Sequence, residues 1–307
     1  QAFLFESPEW FAPTRLVSPR PTLFFGTPGQ ADALAAFRHD ADIAAHTHVL
    51  DVAQAGELLP AFKPGYLGGA VLEPGSADID VAALHQGYLR QARRAGATVV
   101  LDCEVTALER AGGRWLVQGP QGRHAGAVVV NAAGAWGDEV ARLAGARPVG
   151  LRPLRRTAAL IDPPHGLACA GWPAAIAIDE SFYFKPDAGR LLLSPADEEP
   201  SAPCDAQPED IDVAIAVDRF ETVTGAHVGK VWHRWAGLRV FSGDRTPVVG
   251  FDPATEGFFW LVGQGGYGIQ SAHALGRLAA ALACGDAVPA DLAAAGVVAD
   301  HLARSRF

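Results

Sequence analysis

Apolar residues return at helical spacing in one stretch of the chain. In DVAALHQGYLRQARRA, Val81, Leu84, Tyr88 and Ala92 fall on a single face. Asp80 can accept from the free amides of the first turn and Gly96 can end the last one, so a helix is predicted over Asp80–Ala95. The period then changes. Thr98–Leu108 and Arg114–Gln118 read as strands, and Ala127–Asn131 as a buried one. A short helix follows over Trp136–Ala144, closed by Gly145. Strands are predicted at Arg155–Ile161, Ala175–Ile178, Ser181–Lys185 and Leu191–Ser194. Pro186-Asp187-Ala188-Gly189 supplies turn chemistry for a hairpin between the last two. Pro208–Thr224 reads as a helix, with Pro208 in its first turn, Glu209 and Asp210 at its positive end and Gly225 after it. Strands near Lys230–Arg239 and Pro247–Gly250, the apolar run Gly257–Val262 and a helix over Ser271–Ala283 complete the series. No internal repeat is present. This order mixes βα units with a block of strands around one long helix. It predicts an α/β domain interleaved with a mainly antiparallel one.

The last strand and helix are joined by GQGGYGIQ, in which Gly263, Gly265 and Gly268 spell G-x-G-x-x-G. The letters match a dinucleotide-binding turn, but the context fails. Such a turn needs a second strand ending in an acid about 20 residues on. Asp286 sits at that distance, yet Val288-Pro289 cannot belong to a central strand. What remains is a strand handing over to a helix whose free N–H groups face the turn. Its bare glycines would let a flat ligand approach the backbone. A tight strand–helix packing turn explains the same glycines equally well.

Composition narrows the classes. The 307 residues are 49% hydrophobic and 19% charged, enough for a large core in one or two domains. Net charge is −9, the pI is near 5.5 and no run of Lys or Arg occurs, which argues against nucleic acid as a partner. No apolar stretch reaches the roughly 18–20 residues of a membrane span. QAFLFESPEWF lacks the basic start and apolar middle of a signal peptide. Cys103, Cys169, Cys204 and Cys284 show no C-x-x-C spacing and read as free thiols, so a cytoplasmic location is expected. The chain begins with Gln1 and contains no Met, so an initiator is expected to lie outside it. G-x-S-x-G and H-E-x-x-H are absent. His46 and His48 would share one strand face without a third ligand, so no metal site is expected.

Longer segments are specific. EPGSADIDVAALHQGYLRQARRAGATVVLDCEVTAL, AGAVVVNAAGAW, FYFKPDAG, SPADEEPSAPCDAQPED, HRWAGLRVFSGDRTPVVGF and FFWLVGQGGYGIQ resemble the D-amino-acid oxidase/dehydrogenase superfamily of FAD enzymes. Together they look like its D-arginine-dehydrogenase-like branch, over nearly the whole chain. The resemblance implies a mixed α/β fold. Residues 76–148 and 243–307 would form an FAD-binding domain of glutathione-reductase-like type. Residues 1–75 and 149–242 would form a mainly antiparallel substrate domain. The family's opening strand, G-x-G-x-x-G turn and helix, which hold the ADP part of FAD, fall ahead of Gln1. FAD is therefore expected in the complete protein, and the chain reads as a truncated enzyme or a relative without its cofactor. Gly265, Gly266, Tyr267, Gly268, Ile269 and Gln270 resemble the segment along the pyrimidine edge of the flavin. Ala133, Gly134 and Trp136 resemble a second FAD contact, and Val105 the residue whose backbone reads the adenine.

For the substrate, Arg156 and Arg239 match positions associated with a carboxylate, which suits a planar, forked guanidinium. Arg155 adjoins Arg156, and strand alternation allows only one of them to point inward. Tyr183 would add a hydroxyl, and Gln270 would end the flavin loop near the substrate. Thr22 stands where arginine-preferring relatives carry Glu, and its neighbours Leu23, Phe24 and Phe25 are apolar. Small or apolar D-amino acids are thus expected over cationic ones, unless another acid such as Glu73 or Asp187 takes that role. The implied reaction passes a hydride from Cα to flavin N5, as part of amino-acid catabolism, and the imino acid then hydrolyses to a 2-oxo acid and ammonia. No catalytic base is evident, and the residues do not choose between O₂ and a membrane quinone as the electron acceptor. Glycine or sarcosine oxidase, 2-hydroxy-acid dehydrogenase and a non-catalytic binding protein are the alternatives.

Overall fold

The computed structural model describes residues 2–307. A nine-stranded sheet dominates it. From one edge, its strands are Val231–Phe241, Arg152–Ile161, Arg190–Ser194, Tyr183–Asp187, Ala174–Ala177, Thr22–Gly26, Gly69–Glu73 and His48–Leu50. The short Glu199–Pro200 pairs with the start of Arg152–Ile161. Neighbours run antiparallel except Ala174–Ala177 beside Thr22–Gly26, which run parallel. The predicted hairpin is present. Asp187 pairs with Arg190 across Ala188 (φ +47°) and Gly189 (φ +80°), and positive φ at both central residues gives the turn the twist of its strands.

Strand alternation gives this sheet two different faces. Leu23, Phe25, Ala175, Phe184, Leu191, Leu193 and Ile161 point to one side and are fully buried. They pack against Ala216, Phe220 and Val223 of the helix Asp210–Thr224. Phe24, Ile176 and Tyr183, one residue out of step, point to the other side, where the short helix Ala31–Phe37 packs beside Phe24, the Phe37 and Phe24 rings 4.4 Å apart.

A second group of strands surrounds the glycine turn. Val129–Asn131 lies parallel to Phe258–Val262, which is antiparallel to Val248–Phe251. Phe258, Trp260 and Val262 pack with Trp115 and Ala141 on one side. Phe259 and Val249 pack with Leu278 and Ala279 of the helix Gly268–Ala283 on the other. Trp115 comes from an antiparallel triplet, Ala107–Ala111, Arg114–Gly119 and Gly122–Gly126. Among the described residues no helix is long and apolar enough to cross a membrane.

Several expectations are corrected. Thr98–Leu108 is not one strand. Only Ala107–Ala111 is, while Val100 and Leu101 stand exposed without regular structure. β-structure needs a hydrogen-bonding partner, and among the described residues nothing pairs with 98–103. The helix expected from Pro208 begins at Asp210, because Glu209 takes the cap position and leaves Pro208 outside. The last long helix begins at Gly268, ahead of Ser271. His46 closes the helix Ala41–His46 while His48 opens a strand, so the two do not share a strand face. The strands within residues 17–79 carried no legible sequence signal, because they are short and broken by Pro and Gly.

Candidate functional site

The face of the nine-stranded sheet that carries Phe24, Ile176 and Tyr183 forms the floor of a cavity of about 870 Å³. Its apolar wall is a row across three strands, since Ile176 is in register with both Phe24 and Tyr183. The next strands supply guanidiniums. Arg156 is opposite Gly237, and Arg239 lies two residues beyond Gly237. That diagonal puts both arginines on the same face. Phe241, Gly266 and Tyr267 close the far side.

The two adjacent arginines separate as strand alternation requires. Arg155 turns to the helix side, where it pairs with Glu209 and, at 3.0 Å, with Asp212. Arg156 faces the cavity. Its Nε donates to the Asp197 carbonyl at 2.7 Å and its Nη2 reaches Glu198 at 3.4 Å. Glu198 also accepts from both terminal nitrogens of Arg245, at 3.0–3.3 Å. Arg245, followed by Arg156 and Arg239, holds the Glu198 carboxyl below the usual carboxylate range. Arg239 differs from its neighbours. Among the described residues nothing hydrogen-bonds or ion-pairs with its guanidinium. Burial, and after it the nearby Arg156, pulls its pKa below that of a free guanidinium, although the group stays charged. A desolvated cation without a partner favours an incoming anion.

The glycine turn adjoins this cation. Gly263 and Gly265 have φ of +77° and +55°. The Gly265 amide donates to the Val240 carbonyl at 2.8 Å, and a Cβ there would overlap the Phe241 ring. Gly265 is therefore bare because of the chain's own packing, not to admit a flat ligand. Gly266 is exposed, and an added Cβ would sit 3.3 Å from Arg239 Nη1. The helix starting at Gly268 has no side-chain cap at Tyr267, so its first amides are free to face an anion. Arg239, Gly265, Gly266, Gly268 and Ile269 border a second space of about 560 Å³. It meets the first at Arg239 and Gly266.

A third cavity, about 790 Å³, lies apart from these and contains Val105, Ala133 and Trp136. Asn131 shapes its turn, donating from Nδ2 to the Gly137 carbonyl at 2.8 Å and accepting from the Ala133 amide at 3.3 Å. Gly134, at φ +54°, has open space where a Cβ would stand. An extended nucleotide with a flat, charge-accepting ring at one end finds bare backbone at Gly266 and Gly134 and an uncapped helix start at Gly268. The residues present fit FAD.

Three expected site residues lie off the cavity walls, and one of them, Gly134, borders none of the three spaces although Ala133 and Trp136 beside it do. Gln270 is exposed and borders none of the three spaces. Thr22 is buried between Ala174 and Glu73, and Phe24 takes the wall instead. Glu73 and Asp187 are not on the first cavity's wall either. The carboxylates that reach it are Glu180 and Glu198. Sequence reasoning missed these acids, as well as Arg245 and Phe241. Glu180, Glu198 and Arg245 sit in loops between strands, where periodicity gives no direction.

A model of the family described as FAD dependent oxidoreductase (DAO) matches residues 10–282. Mitochondrial dimethylglycine dehydrogenase of Homo sapiens is 30% identical over 103 residues, 33% of this chain and 12% of that protein. Hydrogen cyanide synthase subunit HcnC of Pseudomonas aeruginosa is 25% identical over 225 residues, 68% of this chain and 50% of that protein. The chain thus spans half or less of these relatives. The crystal structure of glycine oxidase from Geobacillus kaustophilus shares the fold at a TM-score of 0.80, with 21% identity, over 95% of this chain and 78% of that one.

Proposed function

Given that the chain belongs to the FAD-dependent oxidoreductase (DAO) family, we propose that it carries the substrate cavity and flavin-facing turn of an enzyme that oxidises an amino acid at Cα. The observation that carries this reading is the unpartnered, half-buried Arg239 guanidinium beside the exposed backbone of Gly266. It offers a fork for a carboxylate where a flat ring can approach. FAD, the cofactor of the family, supplies the hydride acceptor when bound.

The chain's own residues bind and orient. Arg239 takes the substrate carboxylate, Arg156 adds positive charge on the same face, and the Tyr183 hydroxyl is placed to donate to it. Phe24, Ile176 and Phe241 keep water from the reacting carbon and favour small or apolar side chains. The free amides at Gly268 and Ile269 would steady negative charge on the ring edge. Val105, Ala133, Gly134 and Trp136 would hold the nucleotide's far end. Residues 76–148 and 243–307 would thus serve the cofactor, and 1–75 and 149–242 the substrate. No side chain on the cavity wall is set up as a base, so the amine would lose its proton to water before the Cα–H bond breaks. The resulting imino acid would be hydrolysed to a 2-oxo acid and ammonia. The sequence resemblance supports the D-isomer.

The test is a panel of D- and L-amino acids and 2-hydroxy acids given to the flavin-loaded protein with an artificial electron acceptor. Apolar D-amino acids should give the highest kcat/KM, above D-Arg and D-Lys. Turnover confined to 2-hydroxy acids would refute the amino-acid reading, and a preference for D-Arg would refute the apolar one.

A further inference from the structure

Resting on the carboxylate anchor proposed above, we infer that Glu198 is a built-in second carboxylate that selects against diacid substrates, occupying the place where a distal carboxylate of the substrate would otherwise bind.

The first argument is charge. Three guanidiniums line the cavity (Arg156, Arg239 and Arg245) against two carboxylates, Glu180 and Glu198. The wall is short of one anion, which a single substrate carboxylate at Arg239 supplies. A second substrate carboxylate would be in excess and would meet Glu198 as a like charge.

The second argument is geometry. Glu198 bridges two cations from different parts of the chain, Arg156 on a sheet strand and Arg245 in the loop after Phe241. With Arg245 the pairing is forked, both terminal nitrogens reaching carboxylate oxygens at 3.0–3.3 Å. That is the arrangement a substrate carboxylate would adopt.

The third argument is that Glu198 is held in place. The neighbouring Asp197 carboxylate accepts from the Thr157 amide at 2.7 Å and from its hydroxyl at 2.9 Å. The Asp197 carbonyl accepts from Arg156 Nε. The segment is thus fixed to the sheet strand one residue before Glu198. Arg245 is fixed as well, with its guanidinium 3.9 Å from the centre of the Phe241 ring. Removing the negative charge from Glu198 would leave two positioned guanidiniums facing the cavity, ready to take an anion.

Calorimetric titration of the 307-residue chain with propionate and with the diacids from malonate to adipate tests this without turnover. The wild type should bind propionate more tightly than any of the diacids. Glu198→Gln should bind at least one diacid about tenfold more tightly than the wild type does, with propionate affinity little changed. A second change, Arg245→Gln, should abolish the gain, and circular dichroism of each variant checks the fold. If Glu198→Gln leaves the ratio of diacid to propionate affinity unaltered, the role given to Glu198 is wrong while the anchor at Arg239 stands. If no carboxylate binds either protein, both are wrong.

Discussion

At Gly265 the smallest side chain is imposed from below, by the Phe241 ring and a positive φ. At Gly266 the chain is bare toward the cavity, beside Arg239. Two adjacent glycines therefore have different physical reasons, which letters alone could not separate. Arg239 is the residue on which binding should turn. Replacing it with Leu removes a forked, charge-assisted pair from a partly desolvated site, a loss of roughly 3–5 kcal/mol. Carboxylate affinity should fall about 10²–10⁴-fold. Lys should restore only part of it, since an ammonium cannot fork. Titration of the three proteins with propionate measures this, and near-normal affinity in the Leu variant would remove Arg239 from the site.

Among the elements, the hairpin of Val248–Phe251 and Phe258–Val262 positions the glycine turn, and one buried carboxylate organises its connection. Asp252 accepts from the amides of Ala254 and Thr255, at 3.0 and 2.8 Å, and from Trp260 Nε1 at 3.0 Å. Burial pushes its pKa up, but the bond from Trp260 and the two amides outweigh burial and hold it below the ordinary value. A carboxyl with a lowered native pKa stabilises the fold above its unfolded pKa of about 4, and that contribution is lost as pH falls through the native value. Asp252→Ala strands buried donors and should cost roughly 2–4 kcal/mol at about pH 7. Asp252→Asn should cost less, and its deficit should shrink on acidification. Urea denaturation at about pH 7 and about pH 3 compares them. A deficit for Asn that grows in acid would contradict the lowered pKa.

For the whole molecule, Asp78 ties separate parts of the fold together. It lies on Ala77–Ile79, which pairs with Val17–Pro19 in a small sheet of its own. Its carboxylate accepts from Lys185 of the nine-stranded sheet at 2.6 Å and from Arg20 at 2.7 Å. Burial acts to raise its pKa, while Lys185 and Arg20 together lower it further. All three side chains are partly exposed, so solvent screening reduces the worth of the cluster. Asp78→Asn should cost roughly 1 kcal/mol at about pH 7, with most of the deficit removed in 1 M salt. Thermal melts at the two salt levels decide it, and a deficit insensitive to salt would mean that packing, not charge, joins these parts.

The sequence by itself determined the elements whose signal is local. The helix at Val81–Arg94 with its Asp80 cap, the Ala188-Gly189 hairpin turn and the long helix ending at Gly225 follow from periodicity, capping and turn chemistry. It also presented Arg156, Tyr183 and Arg239 as candidates, because charged and polar groups within apolar strands stand out. Tertiary structure decided what those signals could not contain. Whether 98–103 becomes a strand depends on a partner beside it, and inter-strand hydrogen bonds are not encoded by one segment. Which arginine of the pair faces the cavity depended on the helix at Asp210–Thr224 taking the other face of the sheet. Phe24 rather than Thr22 lines the wall, because register with Ile176 puts it there. Glu198 and Arg245, far apart in the chain and both in loops, meet only because Asp197 is bonded to Thr157 and Arg245 lies over Phe241. Long-range contacts of this kind have no period to read.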